Sequence, residues 1–186
     1  MSCFFVTHPE VVIDPAVRIE EWGLSDAGKA RAALLPELLR GTVRSIVSSA
    51  ERKALDTSTI LAQALNLDVT VDSALGEMGR SATGYLRPDE FERTVEAFFA
   101  SPDESTRGWE RAIDAQRRIE HAVRGHLQGG HTDGIAFIGH GGVGALLLAS
   151  LSASPISRTL DQPGLGSYFT FHADSWQVRS PWERIE

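Results

Sequence analysis

The sequence predicts an α/β fold, a three-layer αβα sandwich in which helices cover both faces of a mostly parallel central sheet. Residues 3–6 and 135–138 are apolar without alternation, as expected for parallel strands that are buried on both faces. Segments with helical periodicity separate the predicted strands. We expect one domain over residues 1–186, because a chain of 186 residues with 42% hydrophobic content suits a single sizeable core.

The first part of the chain predicts two helices and two further strands. Ser25 is placed as the N-cap of the first helix, and Pro36 is expected to kink or end that helix. Residues 43–47 predict the second strand, and residues 48–51 have the spacing of a capping box that starts the second helix. Residues 67–71 are expected to form the third strand.

A helical insertion is expected after the third strand, over about residues 76–130. Pro88 resembles the start of its first helix. Four apolar side chains share one face of that helix, and we interpret them as core packing: Phe91, Val95, Phe98 and Phe99. A longer helix is predicted over residues 109–127 and a turn over residues 129–134. After the fourth strand, residues 168–171 and 176–178 are expected to pair as closing strands.

The composition argues against several functional classes. The formal net charge of -7 offers no electrostatic footprint for nucleic acid. Cys3 is the only cysteine, so neither an intrachain disulfide nor a cysteine-based zinc site can form, and a reducing cytoplasm is the simplest location. The apolar runs are too short to span a membrane. We therefore expect a cytoplasmic protein without a nucleic-acid or membrane partner.

Two histidines follow buried strands directly. His8 comes after the first strand and His140 after the fourth, and the carboxyl ends of parallel strands form the edge at which ligands bind in open α/β sheets. If these strands are neighbours, the two imidazoles face each other across one anion site. A neutral imidazole can attack phosphorus, and a second, protonated histidine can neutralise charge on the phosphoryl oxygens.

Other charged side chains are placed to complete such a site. The second strand runs into a helix N-terminus, whose free N–H groups attract anions, and Arg52 and Lys53 lie within or just past its first turn. Two solvated charges on an exposed helix face are the alternative interpretation. Glu77 lies on a glycine-containing loop over residues 72–88. A carboxyl group at that position could give a proton to a leaving oxygen and later take one from water.

Three glycines near His140 also have the GxGxxG spacing of dinucleotide-binding sites: Gly139, Gly141 and Gly144. The motif comes too late in the chain for a full βαβαβ unit to follow, and a histidine occupies its turn. The sequence contains no motif of serine hydrolases, P-loop NTPases or zinc proteases. Phosphoryl chemistry at the histidines is therefore the favoured interpretation.

Taken together, the motifs resemble those of the histidine phosphatase superfamily, the phosphoglycerate mutase-like group, over nearly the whole chain. Residues 6–10 are similar to its Arg-His-Gly motif, residues 48–57 to its Ser-Ser-Pro-Leu-x-Arg-Ala-x-x-Thr block, and residues 139–142 to its second-histidine motif. The resemblance implies a phosphoglycerate mutase-like fold and a phosphohistidine mechanism without metal or cofactor. His8 would be the nucleophile and Glu77 the proton donor, while His140 and basic side chains would hold the phosphoryl group.

Two positions differ from the family pattern. Thr7 stands where the family has its first arginine, and Lys53 aligns with the arginine of the second block. A charge-assisted hydrogen bond is worth roughly 1.5 to 3 kcal/mol, so losing one would slow turnover about 10- to 100-fold unless another donor compensates. Arg52 and Arg80 are the candidate replacements. The predicted phosphate-binding set is Thr7, Arg52, Lys53, Arg80 and Gly141.

We therefore expect a phosphomonoesterase that hydrolyses a small phosphorylated molecule through a phosphohistidine at His8. The alternative is a phosphate-binding or regulatory domain with little or no activity, which the substitutions at positions 7 and 53 favour. The expected partner is a small phosphate ester or inorganic phosphate. Hydrolysis is preferred to mutase activity, because a mutase needs more structure to cover its substrate. Selectivity is expected from the 76–88 loop, with further candidates elsewhere: Tyr85, Arg87, Trp22, Trp109 and the 161–166 loop.

Overall fold

Six strands form one sheet in the computed structural model, which describes residues 2–128 and 134–186. The strands are β1 (Ser2–Thr7), β2 (Ser45–Ser48), β3 (Val69–Val71), β4 (Ile135–Gly139), β5 (Ser167–His172) and β6 (Gln177–Arg184). Their order across the sheet is β3-β2-β4-β1-β5-β6. The first four strands are mutually parallel, and β5 and β6 add an antiparallel edge. The predicted turn at 129–134 lies outside the described residues except for Gly134.

Helices cover both faces of this sheet, which confirms the predicted three-layer α/β class. The helices are α1 (Asp26–Ala32), α2 (Leu35–Leu39), α3 (Arg52–Leu65), α4 (Pro88–Ala100), α5 (Ala112–Leu127) and α6 (Gly141–Leu151). Successive side chains of a strand point to opposite faces. Phe5 and Phe137 accordingly pack with the core under α5 and α6, and Phe4 and Ala136 with the core under α2 and α3.

The predicted helical insertion lies between β3 and β4 and consists of α4 and α5. Phe98, Phe99 and Trp109 are buried in a third apolar cluster, which joins these helices to α6. Phe91, Val95 and Phe99 also line a cavity. The apolar face of α4 therefore does more than the core packing that its spacing predicts.

Local signals around the first helices are only partly correct. Ser25 is the N-cap of α1, and its hydroxyl accepts a hydrogen bond from the Gly28 N–H at 3.1 Å. Pro36 lies in the first turn of the short helix α2, a position where its missing N–H costs nothing. The predicted capping box is wrong, because α3 starts at Arg52 and Glu51 is itself the N-cap residue, with no side-chain capping bond.

The glycines with dinucleotide-motif spacing have a packing role. A Cβ atom added at Gly139 or at Gly144 would lie 2.7 Å from the Phe5 ring, too close for any side chain. Because these glycines have no side chains, the Phe5 ring fits against the end of β4 and the start of α6. Within residues 2–128 and 134–186, no helix is long and apolar enough to cross a membrane.

Candidate active site

The two histidines meet at one edge of the sheet. β1 and β4 are adjacent and parallel, with Thr7 beside Gly139, so the residues that follow them leave the sheet side by side. The ring centroids of His8 and His140 are 5.3 Å apart, with the ring planes at 66°. The assumption that the first and fourth strands are neighbours is confirmed, and it places both imidazoles at one site.

The His8 ring is oriented by the backbone next to it. Its Nδ1 lies 2.8 Å from the Pro9 carbonyl oxygen, which can only accept, so Nδ1 carries the proton and Nε2 keeps its lone pair. Burial lowers the pKa of His8 to about 4. The ring is therefore neutral at pH 7, as a nucleophile has to be.

His140 is fully buried at the N-cap of α6. Its Nε2 lies 2.9 Å from the Ser49 hydroxyl. Its Nδ1 has no hydrogen-bond partner, which is true of no other buried side-chain nitrogen or oxygen among the described residues. Burial, followed by the neighbouring His8, holds the pKa of His140 well below its ordinary value. The ring is thus neutral in this structure, whereas the charge-neutralising role predicted from the sequence requires the protonated form.

Glu77 sits against the first turn of α6. Its Oε1 accepts hydrogen bonds from the N–H groups of Val143 at 3.0 Å and Met78 at 3.1 Å, and its Oε2 accepts one from Gly142 at 3.2 Å. Burial raises the pKa of this carboxyl group, which keeps it protonated to a higher pH than an exposed glutamate. The fixed position and the raised pKa together suit a proton donor.

Of the three predicted cationic side chains, two line the same cavity as His8. Lys53 is only 3% exposed, and its Nζ donates to the Ile19 carbonyl oxygen at 2.9 Å and to Glu51 Oε2 at 2.5 Å. The guanidinium of Arg80 lies over the Phe91 ring at 5.0 Å. Arg52 does not line the cavity, because it projects from the exposed side of α3.

The Arg52 guanidinium is paired there with Asp56 at 2.7 Å, one helical turn further along. That arrangement corresponds to the alternative interpretation of this residue, a solvated charge on a helix face. Of the two arginines predicted for the site, Arg80 is therefore the one that lines the cavity with His8.

Thr7 acts on the site through a second residue. It is fully buried; its hydroxyl lies 2.5 Å from Gln162 Oε1 and accepts a hydrogen bond from the Ser167 N–H at 3.0 Å. The other end of the Gln162 amide approaches Gly141, since a Cβ atom at Gly141 would lie 2.4 Å from Gln162 Nε2. Gln162 and Gly141 both line the cavity, so the amide brings a donor to a place that Thr7 does not reach.

The cavity that contains these groups has a volume of about 380 Å³. Its polar lining includes His8, Lys53, Glu77, Arg80 and Gln162. A neighbouring cavity of about 540 Å³ shares Glu77 and Arg80 but includes neither histidine. Among the residues that the structure describes, no group of three His, Cys, Asp or Glu side chains is arranged to hold a metal ion.

Two polar residues of the site, Glu51 and Gln162, are not individually predicted to belong to it. The Glu51 side chain is 13% exposed, and its Oε2 is paired with the Lys53 ammonium. Its Oε1 accepts a hydrogen bond from the Glu77 N–H at 2.8 Å and lies 3.5 Å from His140 Nε2. It stands within the second motif block, so its position in that block was the available signal. Gln162 lies in the 161–166 loop, which is a predicted selectivity candidate, but no local pattern identifies the residue itself, because its partner Thr7 is 155 positions away.

Comparison with known proteins relates the chain to one family. The family model described as histidine phosphatase superfamily (branch 1) matches residues 15–180, a segment that includes Lys53, Glu77 and His140 and begins after His8. No curated protein sequence matches the chain significantly.

Solved structures with similar folds cover almost the whole chain. Bacillus stearothermophilus YhfR has a TM-score of 0.83 at 20% identity and covers 100% of this chain and 99% of its own. Mycobacterial glucosyl-3-phosphoglycerate phosphatase in complex with VO3 has a TM-score of 0.76 at 22% identity, covering 98% and 96%. Phosphoserine phosphatase from Entamoeba histolytica, in complex with 3-phosphoglyceric acid, has a TM-score of 0.77 at 14% identity. That match covers 96% of this chain and 94% of the phosphatase chain. These likenesses support the phosphoglycerate mutase-like α/β fold.

Proposed function

The chain belongs to the histidine phosphatase superfamily, and on that basis we propose that it is a phosphomonoesterase that hydrolyses a small phosphorylated molecule through a phosphohistidine at His8. The observation that carries the proposal is the pair of imidazoles 5.3 Å apart, of which His8 has its Nδ1 held by the Pro9 carbonyl. A neutral ring with a free Nε2, beside two cationic side chains, is the arrangement that in-line attack on a phosphate ester requires.

In the first step, His8 Nε2 attacks phosphorus and the bond between phosphorus and the ester oxygen breaks. The protonated Glu77 carboxyl gives its proton to the departing oxygen, so an alcohol leaves and a phosphohistidine remains. In the second step, the Glu77 carboxylate takes a proton from water as the water oxygen attacks phosphorus. The bond between phosphorus and Nε2 then breaks, which releases phosphate and restores neutral His8 and protonated Glu77.

Four groups are proposed to hold the phosphoryl oxygens: Lys53, Arg80, the Gln162 amide and the Gly141 backbone. His140 joins them when a dianion arrives, because a nearby negative charge favours the protonated imidazole. Thr7 is a positioning residue in this scheme, since it orients Gln162 rather than contacting the phosphoryl group. The neutral Gln162 amide then supplies the planar hydrogen-bond donor in place of the arginine that the family pattern has at position 7. Arg52 has no role.

The proposal is tested by trapping the intermediate. The wild-type protein is mixed with ³²P-labelled 4-nitrophenyl phosphate and quenched in alkali within milliseconds, because a phosphohistidine is stable in base and labile in acid. We expect label on the peptide that contains His8, at a level that vanadate abolishes. Label on another residue would remove His8 as the nucleophile.

A phosphate-binding domain with little activity is a second candidate, and one observation favours it. Glu51 forms an ion pair with Lys53, and its Oε1 lies 3.5 Å from His140 Nε2. The negative charge of this carboxylate weakens the attraction of the site for an anion. Vanadate binding without any turnover in the same experiment would establish this second function in place of the first.

Replacing Glu51 with glutamine is expected to tighten the binding of inorganic phosphate about tenfold, since removing one like charge at this range is worth on the order of 1.4 kcal/mol. The amide keeps the shape of the side chain and can still accept the Glu77 N–H. Isothermal titration calorimetry measures the effect, with Glu37→Gln on the exposed side of α2 as the matched control. An unchanged or weaker affinity in Glu51→Gln alone would show that Glu51 does not oppose anion binding.

A further inference from the structure

The cavity beside His8 has a largely apolar wall. It includes six large aliphatic or aromatic side chains: Ile13, Trp22, Tyr85, Phe91, Phe99 and Leu165. Trp22 and Tyr85 form an aromatic pair with ring centroids 6.1 Å apart. The wall comes from three separate parts of the chain, the 11–22 loop, the insertion and the 161–166 loop, so it surrounds the cavity rather than forming one stripe.

We propose that the alcohol part of the substrate is an apolar group, so that the site takes phosphate monoesters of alicyclic or aromatic alcohols rather than sugar phosphates or phosphorylated acids. This inference rests on the proposed phosphatase function and adds the class of substrate. Burial of such a group against the wall supplies binding energy in proportion to the apolar area removed from water.

Two polar groups of the cavity lining already have partners inside the protein. The Trp22 indole N–H donates to the backbone oxygens of Asp14 at 2.9 Å and Val17 at 3.2 Å. The Gln162 Oε1 is taken by Thr7. Substrate hydroxyl groups buried here would lose their bonds to water without gaining equivalent ones, which is costly.

The charged part of the lining does not favour an acidic alcohol group. Glu92 and Asp161 line the cavity together with Arg158, and the Arg158 guanidinium is paired with Glu92 and with Glu96 at 3.4 Å. The other two cationic groups that line the cavity, Lys53 and Arg80, are assigned to the phosphoryl group, and Lys53 is already paired with Glu51. A carboxylate on the substrate would therefore meet acidic side chains rather than an unpaired cation.

Two apolar side chains of the wall are exposed, Ile13 by 60% and Leu165 by 41%. Large apolar side chains at the mouth of a cavity are typical of sites that an apolar ligand covers. Leu165 is one residue away from the turn at Gly166, whose φ is 71°, and its exposure means that its replacement leaves the core intact.

The test compares two esters that differ mainly in ring hydroxyls: cyclohexylmethyl phosphate and glucose 6-phosphate. Both are monoesters of a primary alcohol on a six-membered ring, so the leaving groups are similar and kcat/KM reports recognition of the ring. We expect kcat/KM to be about 10- to 100-fold higher for cyclohexylmethyl phosphate, the range that a hydrophobic pocket achieves with small apolar differences.

Leu165→Asn is expected to lower kcat/KM for cyclohexylmethyl phosphate about three- to tenfold and to leave inhibition by vanadate, which has no alcohol part, unchanged. Leu38→Asn on α2 is the matched control, because Leu38 has the same 41% exposure and does not line the cavity. Loss in both variants, or in neither, would contradict a role of the wall in recognition.

The outcomes separate the substrate class from the function. Turnover of both esters with equal or reversed preference overturns the apolar substrate and leaves the phosphatase standing. If neither ester is hydrolysed, the phosphatase proposal fails, and calorimetric binding of the same two esters decides the ligand class. Tighter binding of cyclohexylmethyl phosphate then supports the apolar site, and equal or weaker binding overturns it.

Discussion

His8→Ala is expected to lower kcat for phosphate monoesters at least about 10³-fold, because removing the nucleophile removes the covalent route and leaves only binding and electrostatic stabilisation. The ring lies 5.3 Å from His140 and has its Nδ1 bonded to the Pro9 carbonyl, so the backbone fixes the orientation in which Nε2 faces the site. Steady-state hydrolysis of 4-nitrophenyl phosphate measures the loss, and vanadate binding by calorimetry shows that the site is still formed.

His121→Ala is the matched control, because His121 is exposed on α5. Its turnover should equal that of the wild type. Activity in His8→Ala within about tenfold of the wild type would exclude the covalent mechanism, even if vanadate still bound.

Glu77→Gln is expected to lower kcat/KM about 10²- to 10⁴-fold for an alkyl phosphate, the usual contribution of a positioned proton donor. The effect should be much smaller for 4-nitrophenyl phosphate, because 4-nitrophenolate leaves without a proton. The amide keeps the size of the side chain, and one of its ends can still accept from Val143 and Met78. The difference between the two substrates therefore isolates proton donation from a structural effect.

The same variant changes the pH profile of kcat/KM. Attack requires neutral His8, whose pKa is about 4 because of burial, so activity should fall as the pH drops towards 4. Donation requires protonated Glu77, whose pKa burial raises, so activity should also fall above a pH that is higher than for an ordinary carboxyl group. Glu77→Gln should lose the alkaline limb and keep the acidic one. An alkaline limb that survives in Glu77→Gln, with Glu37→Gln as the control, would assign the proton donor to another group.

This chain departs from its family pattern in the hydrogen-bond donors of the phosphate site and keeps the histidine at the position of the nucleophile. Lys53 replaces a planar guanidinium by a compact ammonium, and Thr7 replaces a cation by a hydroxyl that orients the neutral Gln162 amide. Glu51 further reduces the positive charge of the site. The site is therefore less cationic than the motifs imply, which fits a substrate that gains part of its binding energy from an apolar group.

Patterns local in the sequence determined the fold class, the strands and the two histidines. Residues 3–6 and 135–138 are apolar on both faces, as expected of strands that are covered on both faces, and the residue after a parallel strand lies at the ligand-binding edge. The prediction of a capping box failed because α3 begins after Glu51, whose carboxylate accepts from the buried ammonium of Lys53 rather than from a backbone N–H of the first turn.

The sequence by itself therefore determined which residues stand at the edge of the sheet. Only the tertiary structure decided which of them face one another: that β1 and β4 are neighbours, that Arg52 points to solvent while Arg80 enters the cavity, and that Gln162 reaches Thr7 across 155 positions. The physical reason is that periodicity encodes burial and chain direction, whereas the pairing of polar side chains depends on the packing of segments far apart in the chain.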